Sequence, residues 1–175
     1  MDPLDPKILI LSLFITAIVF AAAAFLTRAA FHRILAVLIA TTPIVPGLLM
    51  LDTIAARLGW WYYPSVTTGN APLVWYISAA LGYGGALGLV GWRVIRRWAL
   101  PGAIAFLVAF ALFGLGRDYI YSLTTQLIVF GHGSIPMLAD FFAYASAALV
   151  VQLLMCWIAG PARSDALARN LKAGI

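Results

Sequence analysis

The sequence predicts an all-α fold, a polytopic bundle of about five transmembrane helices forming a single integral membrane domain over residues 1–175. Three observations carry that expectation. Hydrophobic residues make up 64% and charged residues 10% of the chain, a balance foreign to a soluble domain of this size. The apolar runs approach the roughly 20 residues that a helix needs to cross a bilayer, while the alternating pattern of outer-membrane strands is missing. Cations also fall in every second loop, as the positive-inside rule requires of a multi-span protein.

Taken in order, the first span covers about Ile8 to Leu26. The leader before it lacks the positive charge of a secretory signal, although Ala21–Ala24 mimic a cleavage site. The second covers about Ile34 to Leu51 and carries Pro43 and Pro46, which kink or unwind it. A loop rich in aromatics holds Gly69-Asn70-Ala71-Pro72, and the third span runs from Leu73 to about Val90. The fourth begins near Pro101, a residue suited to a first helical turn, and reaches about Leu115. The fifth runs from Pro136 to about Ile158. Between the last two, Tyr119–Phe130 is apolar but short, and reads as an outer extension of span four or as an interfacial helix rather than a sixth span.

Arg28 and Arg33 follow span one, Arg93, Arg96 and Arg97 follow span three, and Arg163, Arg169 and Lys172 follow span five. The other two loops balance Arg57 against Asp52 and Arg117 against Asp118. This alternation puts the N-terminus outside and the C-terminus in the cytoplasm, in a membrane of bacterial inner-membrane type. The net charge of +5 therefore reports topology, not a nucleic-acid partner. Cys156 is alone, so no internal disulfide forms, and His32 and His132 fall on opposite sides of the membrane. No metal or other cofactor is expected.

The chain has no glutamate, and its six acids are all aspartates. Asp2, Asp5 and Asp165 lie in polar tails, which leaves Asp52, Asp118 and Asp140 as candidate catalytic groups, all near the outer face. An ionisable group at membrane depth costs roughly 2.5–3.5 kcal/mol on insertion scales, so function is the default reading. Asp52 closes span two, and a carboxylic acid held neutral in an apolar site is what a proton donor requires; it is the preferred acid. Asp140 sits one turn into span five beside Tyr144, where a simple helix-start acid is equally natural.

Trp60-Trp61-Tyr62-Tyr63 is either an interfacial aromatic belt or a wall of π-faces for an apolar ligand or a cation. Asp118, Ser122, Thr125 and Gln126 share one helix face. That stripe, led by Arg117 and flanked by Tyr119, is either solvated or the lining of a cavity. Substrate contacts are therefore expected from Trp60, Trp61, Tyr62, Arg117, Tyr119 and Tyr144. Ala80, Gly84 and Gly88 form a small-residue face that serves internal packing or a homo-oligomer.

A first span followed by Arg28 and Arg33, a second ending in Leu51-Asp52, then Gly59-Trp60-Trp61-Tyr62, Gly69 and Pro72 resembles the small membrane-bound lycopene-type carotenoid cyclases and the related carotenoid hydratases. The likeness spans about residues 8–89. It implies cyclisation of a polyene end group by an acid, shielding aromatics and a base, with Asp52, Trp60 and Trp61 carried over. Where that family has paired glutamates after the proline, this chain has Leu73-Val74-Trp75-Tyr76. Size and span count alone also resemble the tryptophan-rich sensory proteins. The expectation is a membrane enzyme acting on an isoprenoid or similar lipid. The alternatives are a binding or transport protein for an apolar ligand and a small structural subunit of a membrane complex.

Overall fold

The computed structural model describes residues 6–64 and 71–165; Asp2, Asp5, Gly69, Asn70, Arg169 and Lys172 lie outside them. The described chain is about 83% helical, and four helical stretches are long and apolar enough to cross a membrane. Helix α1 is Pro6–Thr27, α2 Phe31–Thr41, α3 Ile44–Leu58, α4 Leu73–Ala79, α5 Leu87–Thr124 and α6 Ile135–Ala159. A π-helical segment, Ala80–Ala86, joins α4 to α5, and Trp61–Tyr62 (β1) pairs antiparallel with Val129–Phe130 (β2).

Several boundaries differ from the sequence reading for identifiable reasons. The second span breaks into α2 and α3 at Thr42–Pro43, and Pro46 falls in the first turn of α3, where its missing N–H costs nothing. Helix α3 then runs past Leu51 to Leu58, because Ala55, Ala56 and Leu58 are good helix formers. Asp52 is thus inside a helix and not at its end. Termination falls to Gly59, whose φ of 67° is the left-handed cap conformation. Helix α5 likewise extends to Thr124, so the first half of the ambiguous Tyr119–Phe130 stretch is a continuation of that helix, and the second half contains β2.

Leu73–Thr124 is a run of 52 residues, about 78 Å if straight, but it is not straight. Ala99 has φ 52° and ψ −133° and reverses the chain. Tyr83 meets Phe110 and Phe113 edge-on or tilted. A side chain at Gly91 would collide with Phe106. These pairings are those of an antiparallel helical hairpin whose turn is Ala99. An L-residue other than glycine pays about 1–2 kcal/mol at such a φ, so Ala99→Gly is expected to raise stability by about 1 kcal/mol, seen as a higher unfolding temperature in detergent.

The core lies where α2, the π segment, the hairpin and α6 meet, around Val37, Ala40, Leu89, Trp92, Val151 and Met155. Gly84 abuts Thr41 and Val151, and Gly88 abuts Val37 and Val151. The small-residue face therefore packs within this chain.

Arg33, read from the sequence as a loop cation, is 1% exposed. Its Nε donates to Asp165 Oδ2 at 2.7 Å, Nη1 to the Met155 carbonyl at 3.0 Å, and Nη2 to the carbonyls of Ala159 and Gly160 at 3.1 and 3.0 Å. Arg96 donates to the Asp165 carbonyl at 2.8 Å. The α1–α2 link, the hairpin turn and the end of α6 are thus tied together at one end of the bundle.

Candidate functional site

A cavity opens away from the core, between α3, the π segment, the second arm of α5 and α6. It has a free volume of about 70 Å³. All three candidate aspartates line it: Asp52 from α3, Asp118 from α5 and Asp140 from α6. Each is buried. They share the space without meeting: among the described residues, no three acidic, His or Cys side chains approach closely enough to hold a metal ion.

Their settings differ. Asp52 accepts from Trp61 Nε1 at 3.0 Å through one oxygen and from the Tyr76 hydroxyl at 2.6 Å through the other, and Tyr63 is a further partner. The Tyr76 oxygen is itself oriented by the Ala71 N–H at 3.1 Å. Asp118 accepts from Arg117 Nε at 2.7 Å and from the Tyr144 hydroxyl at 2.7 Å, and Arg117 also donates to Tyr144. The guanidinium sits 4.5 Å above the Tyr83 ring, a cation–π contact that holds it in place. Asp140 differs again: it is 4% exposed, and among the described residues nothing donates to its Oδ2.

The short β-ladder positions Trp61. Gly131 donates to the Trp60 carbonyl at 2.8 Å, and any Cβ on Gly131 would fall 2.0 Å from the Gly59 oxygen, so only glycine permits this approach. Along an extended segment side chains alternate: Trp61 and Tyr63 enter the cavity and Tyr62 points out, 51% exposed. Burial, followed by the nearby Asp52 charge, pushes the Tyr63 phenol well above its ordinary range. Tyr63 is therefore a neutral hydroxyl at any physiological pH.

No family model, curated protein or solved structure matches this chain.

Of the residues expected at the site, Asp52, Asp118, Asp140, Trp61, Arg117 and Tyr144 line one cavity. Trp60, Tyr62 and Tyr119 do not. Trp60 packs beside Ala55 and Ile128, and Tyr119 is exposed because its face of α5 turns away. Of the polar stripe, Asp118 is buried while Thr125 and Gln126 are exposed, since α5 ends at Thr124 and the helical register does not continue. Missing from the sequence reading are Trp75, Tyr76, Tyr83 and Phe110. Tyr83 lies in the glycine-rich stretch Gly82–Gly85, which forms the π segment. A π-segment among apolar helices frequently marks a functional site, and the glycine run was its available signal.

If all three carboxyls and Arg117 were ionised, the cavity would hold a formal charge of −2, three negatives against one positive. A low-dielectric space opposes that arrangement. The cavity therefore favours a proton on one carboxyl, or a positive charge arising within it.

Proposed function

We propose that this chain is a membrane-embedded enzyme that acts on an isoprenoid, polyene or similar unsaturated lipid by proton addition and removal. The observation that carries the reading is a single aromatic-walled cavity lined by three carboxyls in unlike hydrogen-bond settings. Titratable groups pushed apart by their surroundings divide acid and base roles.

The hydrogen bonds favour a division different from the one the sequence suggests. Both oxygens of Asp52 accept from fixed donors, a pattern suited to a carboxylate, so Asp52 serves as the base. Asp140 can carry a proton without breaking any bond to Oδ2, so it serves as the acid. Its proton adds to one carbon of a substrate double bond, the π pair forming the new C–H bond and leaving a cation on the other carbon. A second double bond of the same molecule attacks that cation and forms a ring. Asp52 then removes a proton from an adjacent carbon, restoring an alkene. The product is an isomer of the substrate. Trp61, Trp75 and Tyr83 offer π-faces to the cation, worth about 2 kcal/mol per ring when desolvated. The ion pair of Arg117 with Asp118 keeps Tyr144 and Tyr83 in position. Trp75 and Tyr76, standing where the resembled cyclases carry glutamates, supply a ring and the hydroxyl on Asp52.

In this reading the hairpin at Ala99 divides the 52-residue stretch into two crossings, which brings the number of spans to five. The junction of Arg33, Arg96 and Asp165 gathers three cation-bearing segments at one end of the bundle, which supports a cytoplasmic C-terminus and an outward cavity in a bacterial inner membrane.

Expression in a polyene-producing host tests the proposal. Wild-type membranes should yield a product of unchanged mass and altered chromatographic retention. Asp52→Asn keeps the shape and lowers turnover by about a hundredfold or more. Turnover that survives Asp52→Asn overturns the reading, and a co-purified but unaltered lipid would make the chain a carrier.

A further inference from the structure

Beside the cavity, a groove of about 420 Å³ runs between α3 and α6 on the outer surface of the bundle. Its origin is the break at Thr42–Pro43. Helix α2 packs along α6, and beyond the break α3 and α6 leave a gap walled by Ile44, Leu48, Leu51, Phe142 and Val150 together with small residues. Gly47 stands on one wall and Ala139, Ala143, Ser146 and Ala147 on the other. A Cβ on Gly47 would meet nothing within 4 Å. The groove and the cavity have five lining residues in common: Ile44, Leu48, Leu51, Ala143 and Ala147. The two spaces therefore adjoin along these five residues.

Volume and polarity identify the occupant. The groove lies within the roughly 300–1,000 Å³ range of small-molecule sites, and the cavity is far below it. The body of a ligand thus fits only in the groove, and only a slim end group fits beside the carboxyls. Among the described residues Ser146 is the single polar side chain lining the groove, so the body carries no headgroup and no hydrogen-bonding atoms. We propose that the α3–α6 groove is a lateral portal from the bilayer, which takes a headgroup-free hydrocarbon chain and delivers its terminus to Asp140. The proposal rests on the catalytic reading of the cavity and goes beyond it in assigning the route by which a chain reaches Asp140.

The test uses a straight-chain alkyl diazirine with its photoreactive group at one end, added to the full chain in phosphatidylcholine vesicles. Irradiation should label Asp140 in the wild type and equally in Asp52→Asn. Gly47→Phe fills the groove from α3 and Ser146→Phe fills it from α6. Each should reduce the label on Asp140 about tenfold, the loss expected when two buried methylenes are displaced. Met50→Phe, on an exposed face of α3 outside the groove, should leave the labelling unchanged, as should Gly47→Ala. Absence of label on Asp140 in the wild type, or labelling indifferent to both filling substitutions, overturns the portal. Labelling that obeys the groove in a protein that turns nothing over overturns the catalytic reading and leaves the portal standing.

Discussion

Arg33→Met is expected to cost about 3–5 kcal/mol of stability, read as a large drop in unfolding temperature in detergent. Removing the guanidinium leaves Asp165 with only His32, 3.5 Å away, and leaves the carbonyls of Ala159 and Gly160 without a donor. The last carbonyls of a helix have no intrahelical partner, and here a side chain from α2 replaces the usual cap of α6. The guanidinium also lies 5.6 Å from the Trp92 ring centroid, so its loss opens a void in the core as well. Arg33→Lys should recover little, because a single ammonium cannot reproduce a planar fork that reaches four oxygens. In the double variant Arg33→Met/Asp165→Asn, the cost should fall short of the sum of the single costs, since groups in one network are not additive. Unfolding within about 0.5 kcal/mol of wild type, the range of ordinary surface changes, would mean that the junction does not hold the bundle together.

Arg33 also shows the limit of reading this chain as a sequence. Hydropathy and loop charge locate the helices well, because burial in lipid leaves so little choice of backbone: α1, α6 and the start of α4 fall within about two residues of expectation. The same charge rule treats every arginine as a topology marker. It has no means of distinguishing the exposed Arg28 from the buried Arg33, which differ only in what α6 and Asp165 bring to them. The candidate site divides in a similar way. Asp52, Asp118 and Asp140 stand out because acids in apolar runs are expensive, and that cost is local. Tyr76 and Trp75 carry no such cost; an aromatic near a helix start is ordinary at an interface. Only the tertiary contact of Tyr76 with Asp52 gives it a role. Tyr62 and Tyr63 were legible as a cluster but not in direction, since a one-residue shift of strand register exchanges the two faces.

Asp140 and Asp52 are expected to respond to substitution with opposite signs in stability and the same sign in turnover. Asp140 Oδ2 is buried without a donor, and such an atom costs about 1–3 kcal/mol. Asp140→Leu removes the burden and places an apolar side chain in a cavity with free space, so stability should rise by about 1–3 kcal/mol. Asp52→Leu does the reverse. It deprives the Trp61 indole N–H and the Tyr76 hydroxyl of their acceptor, and each buried donor left unmet costs a comparable amount. Both changes should abolish conversion of a polyene, and Asp140→Asn should lower it by about 10²–10⁴. The pairing separates a working acid from a structural one. A carboxyl retained for packing or folding has no reason to be present where its removal stabilises the protein, whereas a catalytic carboxyl is kept at the expense of stability. Unfolding temperatures that fall for Asp140→Leu would show that Oδ2 has a partner in the membrane, and the assignment of Asp140 as proton donor would go with it.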